Sequence, residues 1–239
     1  MKFVVMTLFP EMLRPVFSCS ILGRAAASGI ISVDTVNIRD YTADKHRRVD
    51  DTPYGGGKGM IMACQPIVDC HRSVIASLEG TVRTVYMSPQ GALLTQERAR
   101  SLARYDNLVV LCGHYEGVDE RAIEIVADEE ISIGDYVLTG GELPAAVLVD
   151  CVARLLDGVL PESECYERES HYNGLLEYPQ YTRPLEFEGR CVPEVLIGGN
   201  HALIEKWRMT QSLERTAERR PDMIEKIRKN EGLKVGDGR

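Results

Sequence analysis

The sequence predicts an α/β fold: a parallel sheet with helices on both faces, followed by a small, mostly helical domain. Three observations carry this. Apolar runs of strand length, at residues 3–8, 81–87, 107–112 and 130–133, recur through the first 160 residues. Segments with helical start and stop signals separate them, the alternation of a parallel α/β sheet. The last three runs each meet a glycine-punctuated segment, as loops at the carboxyl ends of parallel strands do.

The elements follow in order. Residues 3–8 open the sheet. Residues 10–27 read as one helix, begun at Pro10 and stopped by Gly29. Residues 30–38 form a second strand. Residues 66–78 form a helix with Pro66 in its first turn, where a missing N–H costs nothing. Residues 93–105 form another, with Thr95 as N-cap and Glu97 in the first turn. Residues 118–127 are amphipathic. Residues 144–156 are long and apolar, opening on Pro144 and ending before Gly158. Residues 161–173 hold Glu162, Glu164, Glu167, Arg168 and Glu169 with few apolar side chains, and read as a flexible, exposed linker. Residues 174–199 are punctuated by Pro and Gly. Asn200 then caps a helix over 201–210, and Pro221 opens one over 222–229. The expected organisation is a ligand-binding α/β domain over 1–160, a linker over 161–173 and a helical domain over 174–239.

Composition bounds the function. With 239 residues, 44% hydrophobic and 27% charged, the chain can bury a real core in one or two domains. It has no apolar run of membrane-spanning length, so no membrane partner is expected. The apolar start soon meets Pro10 and Glu11, unlike a signal peptide. Seven cysteines without a C-x-x-C pair suggest neither a disulfide framework nor a zinc site, but reduced thiols in a cytoplasmic protein. The net charge of −8 taken alone argues against nucleic acid. From His201 onward, however, ten Lys and Arg face seven Asp and Glu. That basic end suits local contact with phosphates, or an ordinary solvated helical face.

The glycine segments carry the chemistry. They are Tyr86-Met87-Ser88-Pro89-Gln90-Gly91, Gly113-His114-Tyr115-Glu116-Gly117 and the run from Ile131 to Gly141. They offer main-chain donors and acceptors, but no Lys or Arg before Arg121. An adenosine moiety read by main-chain hydrogen bonds fits that chemistry better than a polyphosphate. No G-x-x-x-x-G-K-[ST], G-x-G-x-x-G or G-x-S-x-G motif is present. A second glycine cluster, residues 55–59, lets backbone approach a ligand closely. His46, Arg47 and Arg48 precede it and could hold an RNA backbone; a surface loop is the alternative. Arg154 lies four residues after Asp150, so an ion pair along the helix is expected, with guanidinium donors left for a substrate oxygen.

In this order the residues resemble the bacterial tRNA (guanine-N1)-methyltransferases of the knotted methyltransferase superfamily. The resemblance covers nearly the whole chain. It rests on Phe9-Pro10-Glu11-Met12, residues 50–62, Ser88-Pro89-Gln90-Gly91, residues 112–121, residues 131–144, residues 174–184 and Gly199-Asn200-His201. It implies S-adenosylmethionine as methyl donor, transfer to N1 of the guanosine at tRNA position 37, dependence on magnesium, and a homodimer whose active sites draw on both copies. It implies a deep trefoil knot late in the N-terminal domain, a rare exception to the usual threading rule. The nucleic-acid partner implied is the tRNA anticodon arm, not DNA.

By position, the resemblance implies a donor site of Tyr86, Met87, Ser88, Pro89, Gln90, Gly91, Gly113, Tyr115, Glu116, Gly117, Ser132, Ile133, Gly134, Tyr136, Val137, Leu138, Gly140, Gly141 and Pro144. It implies tRNA contacts at His46, Arg47, Gly59, Arg183, His201, Arg208, Arg215 and Arg220, and catalytic roles for Arg154 and Glu169. Glu169 departs from the family pattern, where the best-known members carry aspartate. The readings that compete are a related methyltransferase acting on another base or on ribose, and a non-catalytic RNA-binding protein.

Overall fold

In a computed structural model, the chain divides into two compact units, Met1–Glu162 and Ser163–Arg239. The structure describes residues 1–161, 166 and 168–236. Glu162, Glu164 and Glu167 of the expected linker therefore lie outside the described residues.

The first unit is built on five strands: β1 (Lys2–Thr7), β2 (Ser32–Asn37), β5 (Val82–Leu93), β6 (Asn107–Cys112) and β7 (Glu129–Ser132). All pair in parallel, in the order β2-β1-β6-β5-β7. Period-2 alternation sends successive side chains to opposite faces. Phe3, Val5, Leu108, Val110, Val85 and Met87 join one core cluster; Val4, Met6, Val109, Leu111 and Tyr86 join the other. β6 is central and buried at every residue, hence its unbroken apolar run.

Helices cover both faces. Leu13 and Phe17 of α1 (Pro10–Ser18), Leu22 and Ala25 of α2 (Ser20–Ala27), Ala99 and Leu102 of α4 (Gln96–Leu102) and the inner face of α6 (Glu142–Ala153) close the first cluster. α3 (Cys64–Ala76) and α5 (Glu120–Val126) close the second. A two-residue antiparallel pair, β3 (Asp50–Asp51) with β4 (Ile61–Met62), brackets the 55–59 glycine cluster.

Several boundaries differ from the sequence reading. The single helix expected over 10–27 is two. Cys19 is extended and Ser20 has φ 53°. The reason is packing: Leu13 and Leu22, nine residues apart, would sit about 180° apart on one straight helix. The break turns both onto the same core. β5 runs on to Leu93 instead of yielding to a helix there, with its register against β7 shifting between Met87 and Ala92. Thr95 does cap α4, its hydroxyl accepting the Arg98 N–H at 3.3 Å. α3 and α6 each begin two residues earlier than expected, so Pro66 and Pro144 occupy their third positions.

In the second unit, Asn200 caps α7 (His201–Arg219), its side-chain oxygen accepting the Leu203 N–H at 3.2 Å. The helix continues past residue 210, and the Thr216 hydroxyl it supplies accepts the Leu176 N–H at 2.9 Å. α8 spans Pro221–Gly236. A short hairpin not expected from the sequence, β8 (Glu186–Phe187) with β9 (Arg190–Cys191), precedes them. Residues 168–173, expected as open linker, carry hydrogen bonds within this unit: His171 N–H donates to Leu175 O at 2.8 Å and Glu177 N–H to Ser170 Oγ at 3.0 Å. No helix among the described residues is long and apolar enough to cross a membrane.

Candidate functional site

β6, β5 and β7 are neighbours, so the segments at their carboxyl ends meet. They enclose a cleft of roughly 260 Å³. Eighteen of the nineteen residues expected at the donor site line it; Gly91 does not. A Cβ on Gly91 would lie 2.5 Å from the Ile131 nitrogen, so this glycine lets β5 press against β7. His114, Glu120, Glu130 and Thr139 also line the cleft, and sequence reasoning did not single them out.

The glycines are there to bring backbone close. A Cβ on Gly141 would lie 2.7 Å from Cys112 Cα and 3.0 Å from Gly113 N, both rigid main chain. Gly141 N–H donates to Gly113 O at 2.8 Å, lacing the third segment to the second. A Cβ on Gly113 would lie 2.8 Å from the Tyr86 hydroxyl, which lies against that backbone. Burial pushes the Tyr86 phenol up to about 12, so it stays neutral at physiological pH. Ser132 Oγ ties its own turn, donating to Gly134 O at 3.0 Å and accepting Gly134 N–H at 3.1 Å. Glu116, Glu120 and Glu130 line the cleft, and among the described residues no Lys or Arg does. The arrangement favours an uncharged planar group held by main chain, joined to a cationic one, and disfavours phosphate.

The 55–59 glycine cluster reaches the cleft rim. Glu116 N–H donates to Met60 O at 3.0 Å, and Gly59, at φ 93°, abuts the Glu116 side chain. His46 and Arg47 sit in the exposed loop before it, where Arg47 pairs with Asp40. Arg121, the first cation after the loops, is held by Asp119 at 2.7 Å.

The remaining expected residues lie elsewhere. Arg154 is half-buried and ends α6, its N–H donating to Asp150 O at 3.2 Å. α6 starts at the cleft, so about 20 Å of helix rise separates Gly141 from Arg154. Glu169 belongs to the second unit, half-buried in a turn where its N–H donates to Tyr166 O at 3.2 Å and its carbonyl accepts Tyr172 N–H at 3.3 Å. Arg183 and His201 are exposed and Arg215 half-buried in the same unit. Arg208 pairs with Glu205 at 2.6 Å and lies 4.9 Å over the Tyr178 ring. Arg220 pairs with Asp222 at 2.7 Å. The structure thus gathers eighteen of the nineteen expected donor residues into one cleft, with Arg154 at the far end of α6 and Glu169 in the second unit.

The chain is similar to known proteins over nearly its whole length. The family model described as tRNA (Guanine-1)-methyltransferase TrmD matches residues 1–226. The chain is 58% identical over 227 residues to the tRNA (guanine-N(1)-)-methyltransferase of Ruminiclostridium cellulolyticum, covering 95% of this chain and 97% of that protein. It is 55% identical over 225 residues to the protein of that name from Lachnospira eligens, covering 94% and 95%. Its identity to that from Desulforamulus reducens is 53% over 228 residues, covering 95% and 90%.

Proposed function

The chain belongs to the tRNA (Guanine-1)-methyltransferase family, and from that premise we propose that it transfers the methyl group of S-adenosylmethionine to N1 of guanosine 37, beside the anticodon of tRNA. The observation that carries the donor reading is the cleft itself. Its main-chain walls at Gly113 and Gly141 suit an adenine, and its three carboxylates without Lys or Arg suit a ligand bearing sulfonium and ammonium charges. When bound, the donor supplies a methyl group on positively charged sulfur.

The chain's own residues supply the rest. Guanine N1 carries a proton and is a weak nucleophile. Glu169 takes that proton as the N1–methyl bond forms. Arg154 stabilises the negative charge that builds on the guanine oxygen. The basic helices α7 and α8 grip the anticodon arm, with His46, Arg47 and Gly59 meeting the RNA near the cleft. Magnesium is implied by the same resemblance. Among the described residues, however, no three His, Cys, Asp or Glu side chains cluster to hold a metal, so they form no protein-held ion site. The trefoil knot belongs to this proposal too, supported by the lacing of residues 140–141 onto 113–114. A cytoplasmic location goes with this substrate.

The same geometry supports a homodimer. Arg154 is too far along α6 to reach the cleft of its own copy, so it serves the cleft of a second copy. Phe9, Met12 and Val16 on and before α1, and Leu143 and Val147 on α6, are 39–50% exposed and give such a copy an apolar face. Gly141→Ala should abolish donor binding in calorimetry, because rigid backbone cannot yield to the new methyl. Arg154→Ala should leave the cleft intact. Co-expressed in one cell, the two variants should recover roughly a quarter of the parental rate, since half the dimers are mixed and each holds one intact site. Activity no higher than that of the separate variants would contradict a shared site.

The proposed reaction is tested by incubating the protein with S-adenosylmethionine and unmodified tRNA, then digesting the RNA to nucleosides. Mass spectrometry should find 1-methylguanosine; a methylated ribose or another methylated base would overturn the reading in favour of the related enzymes.

A further inference from the structure

Behind the cleft wall stands a buried carboxylate that the proposed reaction does not use. Glu142 is 2% exposed at the first position of α6. Its Oε1 accepts the Thr7 hydroxyl at 2.7 Å. Thr7, also fully buried at the end of β1, accepts the Phe9 N–H at 2.9 Å, so its hydroxyl is used both ways. The Thr7 hydroxyl fixes the direction of the Glu142 side chain.

The other oxygen faces the cleft wall. A Cβ built on Gly140 would lie 2.7 Å from His114 Nδ1 and nearer still to Glu142 Oε2. Carboxylate and imidazole therefore converge on one point of the Gly140 backbone. His114 Nδ1 is buried and has no hydrogen-bond partner among the described residues. The His114 ring packs on Phe9, centroids 4.8 Å apart, and edge-on to Tyr115 at 5.1 Å. Residues 114 and 140 pair as an antiparallel bridge. A second cavity, of roughly 530 Å³, shares His114 and residues 137–140 with the cleft and is also lined by Glu142 and Leu143. The shared residues form the wall between the two cavities, and Glu142 packs against it at Gly140.

We propose that Glu142, oriented by Thr7, is a positioning residue that holds Gly140 and His114 in the geometry the cleft needs to bind the methyl donor. The inference rests on the donor reading above and adds residues that touch neither donor nor RNA. A loosened wall displaces the main chain that reads the donor, so donor affinity falls while tRNA affinity does not. A carboxamide is enough to keep the wall in place, because the Gln oxygen accepts from Thr7 as the carboxylate does.

The test is calorimetric titration of S-adenosylmethionine into the full-length protein and its variants, alongside binding of a tRNA transcript. Glu142→Ala should weaken donor binding tenfold or more, the scale on which a charge-assisted hydrogen bond is lost, and leave the transcript's Kd unchanged. Glu142→Gln should bind the donor within about threefold of the parent on the same scale. Thr7→Val, which keeps the carboxylate and removes its partner, should loosen the donor alone. If Glu142→Ala loses cooperative melting, Thr7→Val carries the test, and an unchanged donor Kd in it overturns the inference. An Ala variant that binds donor like the parent does the same. So does a Gln variant as weak as Ala, because charge rather than position would then be at work. A parent chain that fails to bind S-adenosylmethionine overturns the donor reading, and this inference with it.

Discussion

Arg154→Ala should slow methyl transfer by about 10²- to 10³-fold, the usual cost of removing one electrostatic donor to a developing charge. Its affinity for S-adenosylmethionine should match that of the parent. The separation comes from the fold. Arg154 is the residue after α6, about 20 Å of helix rise from Gly141, and its substitution changes no residue that lines the cleft. The guanidinium is asked to act on the guanine oxygen, where charge appears only as N1 gives up its proton. Single-turnover kinetics at saturating tRNA should therefore show the loss in the chemical step. An Ala variant with near-parental turnover would remove Arg154 from the mechanism.

Glu169→Gln should cost about 10²-fold or more at saturating tRNA, in the range of general-base catalysis, because the amide keeps the size and loses the basicity. Glu169→Asp should cost about tenfold at most, since basicity stays and only reach is lost. The turn that carries Glu169 is braced on both sides within the second unit. Arg168 pairs with Glu205 of α7 at 3.1 Å, and Ser170 Oγ accepts the Glu177 N–H at 3.0 Å. In the proposed mechanism the carboxylate is thereby carried with the helices assigned to the RNA, and proton removal is tied to recognition. Gln turning over as fast as the parent in single-turnover assays would place the base elsewhere.

Much of this was legible in the residues because burial writes itself into composition. β6 is covered on both faces and reads as the unbroken run Leu108-Val109-Val110-Leu111-Cys112. The glycine segments follow three strands that prove adjacent, so the cleft was visible as a pattern before the strand order was known. What stayed hidden needs the third dimension. Gly91 looks like its neighbours in sequence, yet it serves the β5–β7 contact, because only geometry tells which backbone a glycine approaches. The break at Cys19 has no Gly or Pro at its own position. Gly23, whose missing Cβ lets the second helix sit on the Ser18 carbonyl, reads in sequence as an ordinary helical residue. The break turns Leu13 and Leu22 onto one core. Glu142 left a trace, a lone carboxylate at the head of the apolar run Leu143-Pro144-Ala145-Ala146-Val147-Leu148. Its partner Thr7 lies 135 residues away, beyond any local pattern. The distance of Arg154 from the cleft depends on the helix axis, which no spacing rule for side chains reports.

The most direct measurement compares two transcripts of one tRNA, identical except that position 37 is guanosine in one and adenosine in the other. Each is incubated with the protein and S-adenosylmethionine, and the methylated position is mapped by mass spectrometry of nuclease fragments. The account predicts one methyl group per tRNA on the first transcript, on N1 of guanosine 37, and none on the second. Equal methylation of both transcripts, or a methyl group at any other position, would contradict it.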